Sequence, residues 1–163
     1  VLAAARMTGR GAGLSDEGLA RKRAVVERAL RVNRPDPADP LDVISKVGGF
    51  DIAAMAGAFL GGAKHGVAVL VDGFISSAAA LCALRIRPGA HDFMLASHAS
   101  REPAGRFMLE ALSLTPVLDA GMALGEGAGA VAVMPLIDMA LAVYGGATFD
   151  QIQVEAYRPI GGA

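Results

Sequence analysis

The longest apolar stretch of the chain, Val131 to Tyr144, carries Asp138 as its only charge and follows directly on Leu124-Gly125-Glu126-Gly127-Ala128-Gly129-Ala130. Its length predicts a helix from Gly127 to Tyr144, and Pro135, Asp138 and the small residues favour a kinked buried helix over a membrane span. Upstream the pattern changes. Val67-Ala68-Val69-Leu70-Val71 is a continuous apolar run of strand length, as expected of a strand buried on both faces of a parallel sheet. Asp72-Gly73 follows it, and then a helix over Phe74 to Leu84. The same order returns as a strand over Asp92 to Ala96, a loop Ser97-His98-Ala99-Ser100 and a helix over Arg101 to Leu112.

Nearer the start, Ser15 is placed to cap a helix running to about Val32, with Asp16 and Glu17 in its first turn. Leu19, Val26, Ala29 and Leu30 form its inward stripe, and Lys22 falls among them. Asp39-Pro40 opens a short helix that Gly48-Gly49 ends, and Asp51 to Lys64 reads as a tightly packed helix with Asp51 as its N-terminal cap. Alternating strands and helices predict an α/β fold, a doubly wound and mostly parallel sheet flanked by helices. Ligands of such sheets bind beyond the carboxyl ends of the strands, where Asp72, Gly73, Ser97, His98 and Ser100 lie.

Composition narrows the function classes. The 163 residues are 53% apolar and 19% charged, enough for one core, and 21 glycines suit close helix-on-sheet packing. No Trp, two Tyr and six Phe argue against a base-stacking nucleic-acid platform. Net charge is −1, yet residues 1 to 34 hold eight Lys/Arg against three acids, a local bias that suits an anionic ligand such as phosphate or a solvated helix face. The single Cys82 excludes an intramolecular disulfide, fits a reducing, cytoplasmic compartment and reads as a core residue. No spacing of His, Cys and carboxylates suggests a metal site.

Glu126 is the leading candidate for chemistry. A carboxylate between two glycines and beside an apolar run loses hydration, which raises its affinity for a proton and suits it to general base work. Gly125 and Gly127 let a flat substrate approach closely. The plainer alternative is a solvated Glu in a glycine turn before a helix. Lys22, behind the glycine-rich Thr8 to Gly13, is placed as a phosphate ligand or as a lysine whose stem covers the core. Asp72 has an alternative role capping the next helix.

Several segments together resemble one family. Gly9-Arg10-Gly11-Ala12-Gly13-Leu14, Glu17-Gly18-Leu19-Ala20-Arg21-Lys22, Val47-Gly48-Gly49-Phe50-Asp51-Ile52-Ala53, Val71-Asp72-Gly73-Phe74-Ile75, Ala96-Ser97-His98 and Leu124 to Gly129 occur in the order and spacing of nicotinate-nucleotide:dimethylbenzimidazole phosphoribosyltransferase. The resemblance runs from about residue 6 to Phe149 and covers the second half of that enzyme. Ala12 stands where Thr is usual, and Asp150 to Ala163 departs from the family's ending.

The resemblance implies transfer of phosphoribose from nicotinate mononucleotide to 5,6-dimethylbenzimidazole in cobalamin biosynthesis, with Glu126 as general base. It implies contacts of Leu124, Gly125 and Gly127 with the aromatic base, and of Gly11, Lys22, Gly73 and Ser100 with phosphate and ribose. Asp51, Asp72, Ser97 and His98 would organise that site. It further implies a homodimer and no metal or organic cofactor, and the composition and the apolar run read above add no nucleic-acid and no membrane partner. Residues 1–112 would belong to a large α/β domain, and 113–163 would carry the glutamate loop and a C-terminal helical segment of a smaller helical domain. The alternative is a non-catalytic nucleotide- or phosphate-binding α/β module.

Overall fold

The computed structural model describes residues 4–11, 13–148, 150–155 and 158. Its elements in chain order are α1 (Ala4–Met7), α2 (Asp16–Asn33), α3 (Pro40–Val47), α4 (Phe50–His65), β1 (Val69–Val71), α5 (Phe74–Ile86), β2 (Met94–Ala96), α6 (Gly105–Leu112) and α7 (Ala128–Tyr144), with a 3-10 turn over Pro88–Phe93 leading into β2. The fold is α/β. Two compact units are distinguished, residues 1–133 and residues 134–163.

In the first unit β1 and β2 pair in parallel, Val69 opposite Met94 and Val71 opposite Ala96, joined by the α5 crossover. The next segment runs alongside β2, where Val117 and Leu118 donate backbone hydrogen bonds to Ala96 and Ser97 at 3.1 and 2.9 Å. The core gathers Phe59 of α4, Val71, Met94, Leu112 and the alanine face Ala79, Ala80 and Ala83 of α5. Small residues set how closely these layers approach. A Cβ at Gly62 would lie 2.8 Å from the Val67 carbonyl, so α4 can lie against the start of the strand only because that position has no side chain.

Both strands are shorter than the apolar runs predict, and the reason is local. Gly66 closes α4 in a left-handed conformation, and Val67 donates to Gly62 at 2.8 Å, so Val67 is spent on finishing a helix. Asp92 and Phe93 are taken up by the 3-10 turn. Burial on both faces is not observed either: Val69 and Leu70 are half-buried and Leu95 is 44% exposed. The helix predicted from Arg101 begins at Gly105, because Pro103 has no N–H and disfavours helical backbone at Glu102 before it. The helix at Phe74 runs on to Ile86.

The cap positions divide. Ser15 caps α2, its hydroxyl accepting from Gly18 N at 3.1 Å, and Asp39 caps α3 by accepting from Leu41 and Asp42 at 2.9 and 3.2 Å. Asp51 does not cap α4: Gly49 occupies the cap, and Asp51 is an exposed residue of the first turn, where its charge complements the helix dipole. On α2 the stripe is only partly covered, with Leu19, Val26 and Ala29 half-buried while Lys22 and Leu30 are exposed. Within α3, the Asp36 amide and then Lys46 hold the Asp42 carboxyl below the usual carboxylate range. Cys82 is half-buried against the core, and burial pushes its thiol up.

Helix α7 passes through Pro135 without ending. The expectation of a buried helix is not met: only Gly129 and Val133 are buried, while Met139, Val143 and Tyr144 are 59%, 82% and 90% exposed. An apolar sequence records an affinity for burial, and among the described residues that surface stays largely uncovered. Among the described residues no helix is long and apolar enough to cross a membrane. In the second unit Thr148 and Gln151 exchange hydrogen bonds, Thr148 N to Gln151 Oε1 at 2.9 Å and Gln151 N to Thr148 Oγ1 at 3.3 Å, the reciprocal pattern of a capping box.

Candidate functional site

The carboxyl ends of β1 and β2 and the loop before α7 converge within the first unit. Gly125, Glu126 and Gly127 are three consecutive residues in the left-handed region, with φ of 78°, 56° and 80°. Glycine adopts that conformation freely, whereas for Glu126 it costs on the order of 1–2 kcal/mol. A strained side-chain-bearing residue between two unstrained glycines is held by its surroundings.

The holding group is Asp72. Its Oδ2 accepts from Gly127 N at 3.2 Å and its Oδ1 from Ala130 N at 3.0 Å, and the side chain is only 17% exposed. The expectation that Asp72 caps the helix next in sequence is therefore corrected: α5 has Gly73 at its cap with no side-chain hydrogen bond, and Asp72 serves α7. Two of the amides that an isolated helix start leaves unpaired are satisfied by one carboxylate, whose charge also suits the positive end of the helix.

Ser97 and His98 stand behind this contact. The Ser97 hydroxyl lies 2.8 Å from the Val71 carbonyl, 3.1 Å from that of Asp72 and 3.1 Å from His98 Nδ1. A hydroxyl has one proton, and the carbonyls take it. The hydrogen bond from His98 then requires a proton on Nδ1, which in the neutral ring leaves Nε2 as an acceptor. The ring is 5% exposed and packs so closely on α7 that a methyl group at Gly129 would overlap it.

Two cavities meet here. The smaller, about 430 Å³, is walled largely by apolar side chains including Met55, Phe59, Val69 and Phe74, with Asp72, Glu126 and Gly127 at its polar edge. The larger, about 710 Å³, contains Gly11, Lys22, His98, Ser100 and Leu124. Gly73, Phe74, Ile75 and Gly125 line both. Lys22 Nζ donates to the Gly9 carbonyl at 3.0 Å and lies 3.8 Å from where a Cβ at Gly11 would be, which puts a cation beside the glycine-rich turn. Among the described residues one carbonyl uses one of its three donors. Arg10 is engaged locally with Asp16, and its guanidinium holds the Asp16 carboxyl below the usual range.

The structure thus gathers Gly11, Lys22, Asp72, Gly73, His98, Ser100, Leu124, Gly125, Glu126 and Gly127 around one pair of cavities. Ser97 is wholly buried and lines neither, and Asp51, exposed on α4, lines neither. Glu126 is exposed, so the loss of hydration expected from its apolar neighbours in sequence is not supplied by the chain's own folding. Ala12 lies outside the described residues. Sequence reading missed Thr8 and Glu102 in the larger cavity and Met55 and Phe59 in the smaller. Thr8 was findable from its place at the head of the glycine-rich run, whereas Met55 and Phe59 reach the cavity only through the packing of α4 and carry no local mark. Among the described residues no group of three or more His, Cys, Asp or Glu is placed to hold a metal ion.

Comparison with known proteins bears on this site. The family profile described as Phosphoribosyltransferase matches residues 1–154, past Phe149 where the motif resemblance ends. The nicotinate-nucleotide–dimethylbenzimidazole phosphoribosyltransferase of Acetivibrio thermocellus is 48% identical over 157 residues, covering 96% of this chain and 45% of that protein. The protein of the same name from Desulforudis audaxviator is 54% identical over 137 residues, 84% of this chain and 39% of the relative. The crystal structure of CobT from Thermus thermophilus superposes with a TM-score of 0.83 at 44% identity, over 94% of this chain and 49% of that one. The chain thus spans about half the length of these relatives or less, and its α/β fold, motif order and profile match place it plainly in the phosphoribosyltransferase family.

Proposed function

We propose that the protein carrying this chain transfers phosphoribose from nicotinate mononucleotide to 5,6-dimethylbenzimidazole, giving α-ribazole 5′-phosphate and nicotinate. The observation that carries the reading is the shared wall: a cavity containing a lysine adjoins, across Gly73 and Gly125, an apolar cavity edged by a carboxylate. The first suits a phosphorylated ribose and the second a flat aromatic base, whereas Leu124, expected against the base, lines the first.

In this reading the donor's phosphate lies at Lys22 and the Gly11 turn, with its ribose toward Ser100 and Gly73. One nitrogen of dimethylbenzimidazole attacks C1′ as nicotinate leaves, and Glu126 takes the proton from the other nitrogen. The anomeric centre inverts from β to α. Because Glu126 is exposed in the folded chain, the bound base itself expels its water, and the desolvated carboxylate then holds the proton more firmly. The same anion stabilises positive charge developing on the ribose ring. Residues 1–112 form the phosphate and ribose side together with most of the apolar wall, and 113–163 carry the glutamate loop and the C-terminal helical segment. A homodimer in the cytoplasm belongs to the same reading and rests on the family resemblance.

A second reading is favoured by one observation, the exposure of Glu126: the 163 residues bind a phosphorylated ligand without turning it over. Product formation from nicotinate mononucleotide and dimethylbenzimidazole separates the two, measured for this chain and for the protein in its full natural length, each with Glu126→Ala. Transfer that falls at least ~100-fold with Glu126→Ala supports catalysis with Glu126 as base. Equal activity without Glu126 refutes that role, and ligand binding with no turnover in the full-length protein leaves the binding module.

A further inference from the structure

Asp72 is the contact through which the sheet holds the Glu126 loop. The loop is strained at Glu126, and a strained segment keeps its shape only while a clamp opposes its relaxation. Two backbone bonds, Ala128 N to Gly125 O at 3.0 Å and Val131 N to Gly127 O at 2.9 Å, join the loop to α7 and would move with it. The Asp72 carboxylate is different because it comes from the end of β1. One of its oxygens takes Gly127 N, next to Glu126, and the other takes Ala130 N, a turn further on, so together they fix both position and direction.

The clamp is itself braced. Ser97 Oγ bonds to the backbone carbonyls of Val71 and Asp72, and the His98 ring fills the space beside Gly129 and Gly73. Both carboxylate oxygens of Asp72 are engaged with backbone amides, so its place at the edge of the smaller cavity is set by the loop it holds. We propose that Asp72 is a positioning residue for Glu126, a charged helix cap supplied across the sheet rather than a substrate ligand. This rests on Glu126 being the base.

Asp72→Asn and Asp72→Ala in the full-length protein test it, by amide hydrogen exchange at Gly127 and Ala130 and by steady-state kinetics. Asn keeps the shape and a single acceptor oxygen, so exchange at those amides should quicken about tenfold in Asn and further in Ala. In Asn, kcat should fall about 10- to 100-fold, the effect of a base displaced by about 1 Å, while KM for nicotinate mononucleotide stays within about twofold. Unchanged exchange at both amides would overturn the clamp. A KM that rises as far as kcat falls would make Asp72 a substrate ligand and overturn the assignment. Should Glu126→Ala retain full activity, the catalytic reading fails by itself, while the exchange result still decides whether Asp72 holds the loop.

Discussion

At the scale of single residues, function and packing meet in the contact between Gly129 and His98. The absent side chain at Gly129 lets the first turn of α7 lie against the imidazole. Gly129→Ala should therefore destabilise the protein by about 1–3 kcal/mol, although alanine is the better helix former, because the ring must be displaced. A denaturant titration reads this, and a variant as stable as the parent would refute the close contact. Glu126, flanked by two glycines and preceding an apolar run, was legible as a candidate from sequence. Its exposure was not, because neighbours in sequence are no guide to which atoms cover a side chain. The partner of Asp72 was hidden for a similar reason. A carboxylate after a strand and before a helix suggests a local cap, and the sequence holds no sign that a helix more than 50 residues later takes its place.

At the scale of elements, ends were more legible than burial. Ser15 and Asp39 announce helix starts by residue type because a short polar side chain is what an unpaired helix amide needs. Asp39→Ala should lower stability by about 1 kcal/mol, read by chemical unfolding with an unchanged denaturant dependence. No loss would mean that water serves the α3 amides equally well. Asp51 shows the limit of the rule, since the glycine pair before it supplied the cap position two residues earlier. Strand lengths were over-read because apolar runs extend through residues whose backbone groups are committed elsewhere, Val67 to the close of α4 and Phe93 to a 3-10 turn. The order strand, loop, helix, strand survived those errors, and it is the order that places Asp72, Gly73, His98 and Ser100 at one end of the sheet.

At the scale of the whole molecule, the two cavities share a wall made of Gly73, Phe74, Ile75 and Gly125. A shared wall gives the two cavities a route to thermodynamic linkage. If occupation of the lysine-bearing cavity settles Phe74 and Gly125 into one arrangement, that ordering need not be repeated when the second ligand arrives. Linkage is reciprocal, so under the proposed function whatever factor the phosphorylated donor adds to the affinity for the aromatic acceptor, the acceptor must return to the donor. A several-fold mutual enhancement is expected in calorimetric titrations of the Glu126→Ala protein, which the proposed mechanism makes catalytically silent, with each ligand in turn, and independent affinities would show the wall to be rigid. Such coupling would favour completion of the ternary complex over either binary one, so that donor and acceptor would tend to be held together.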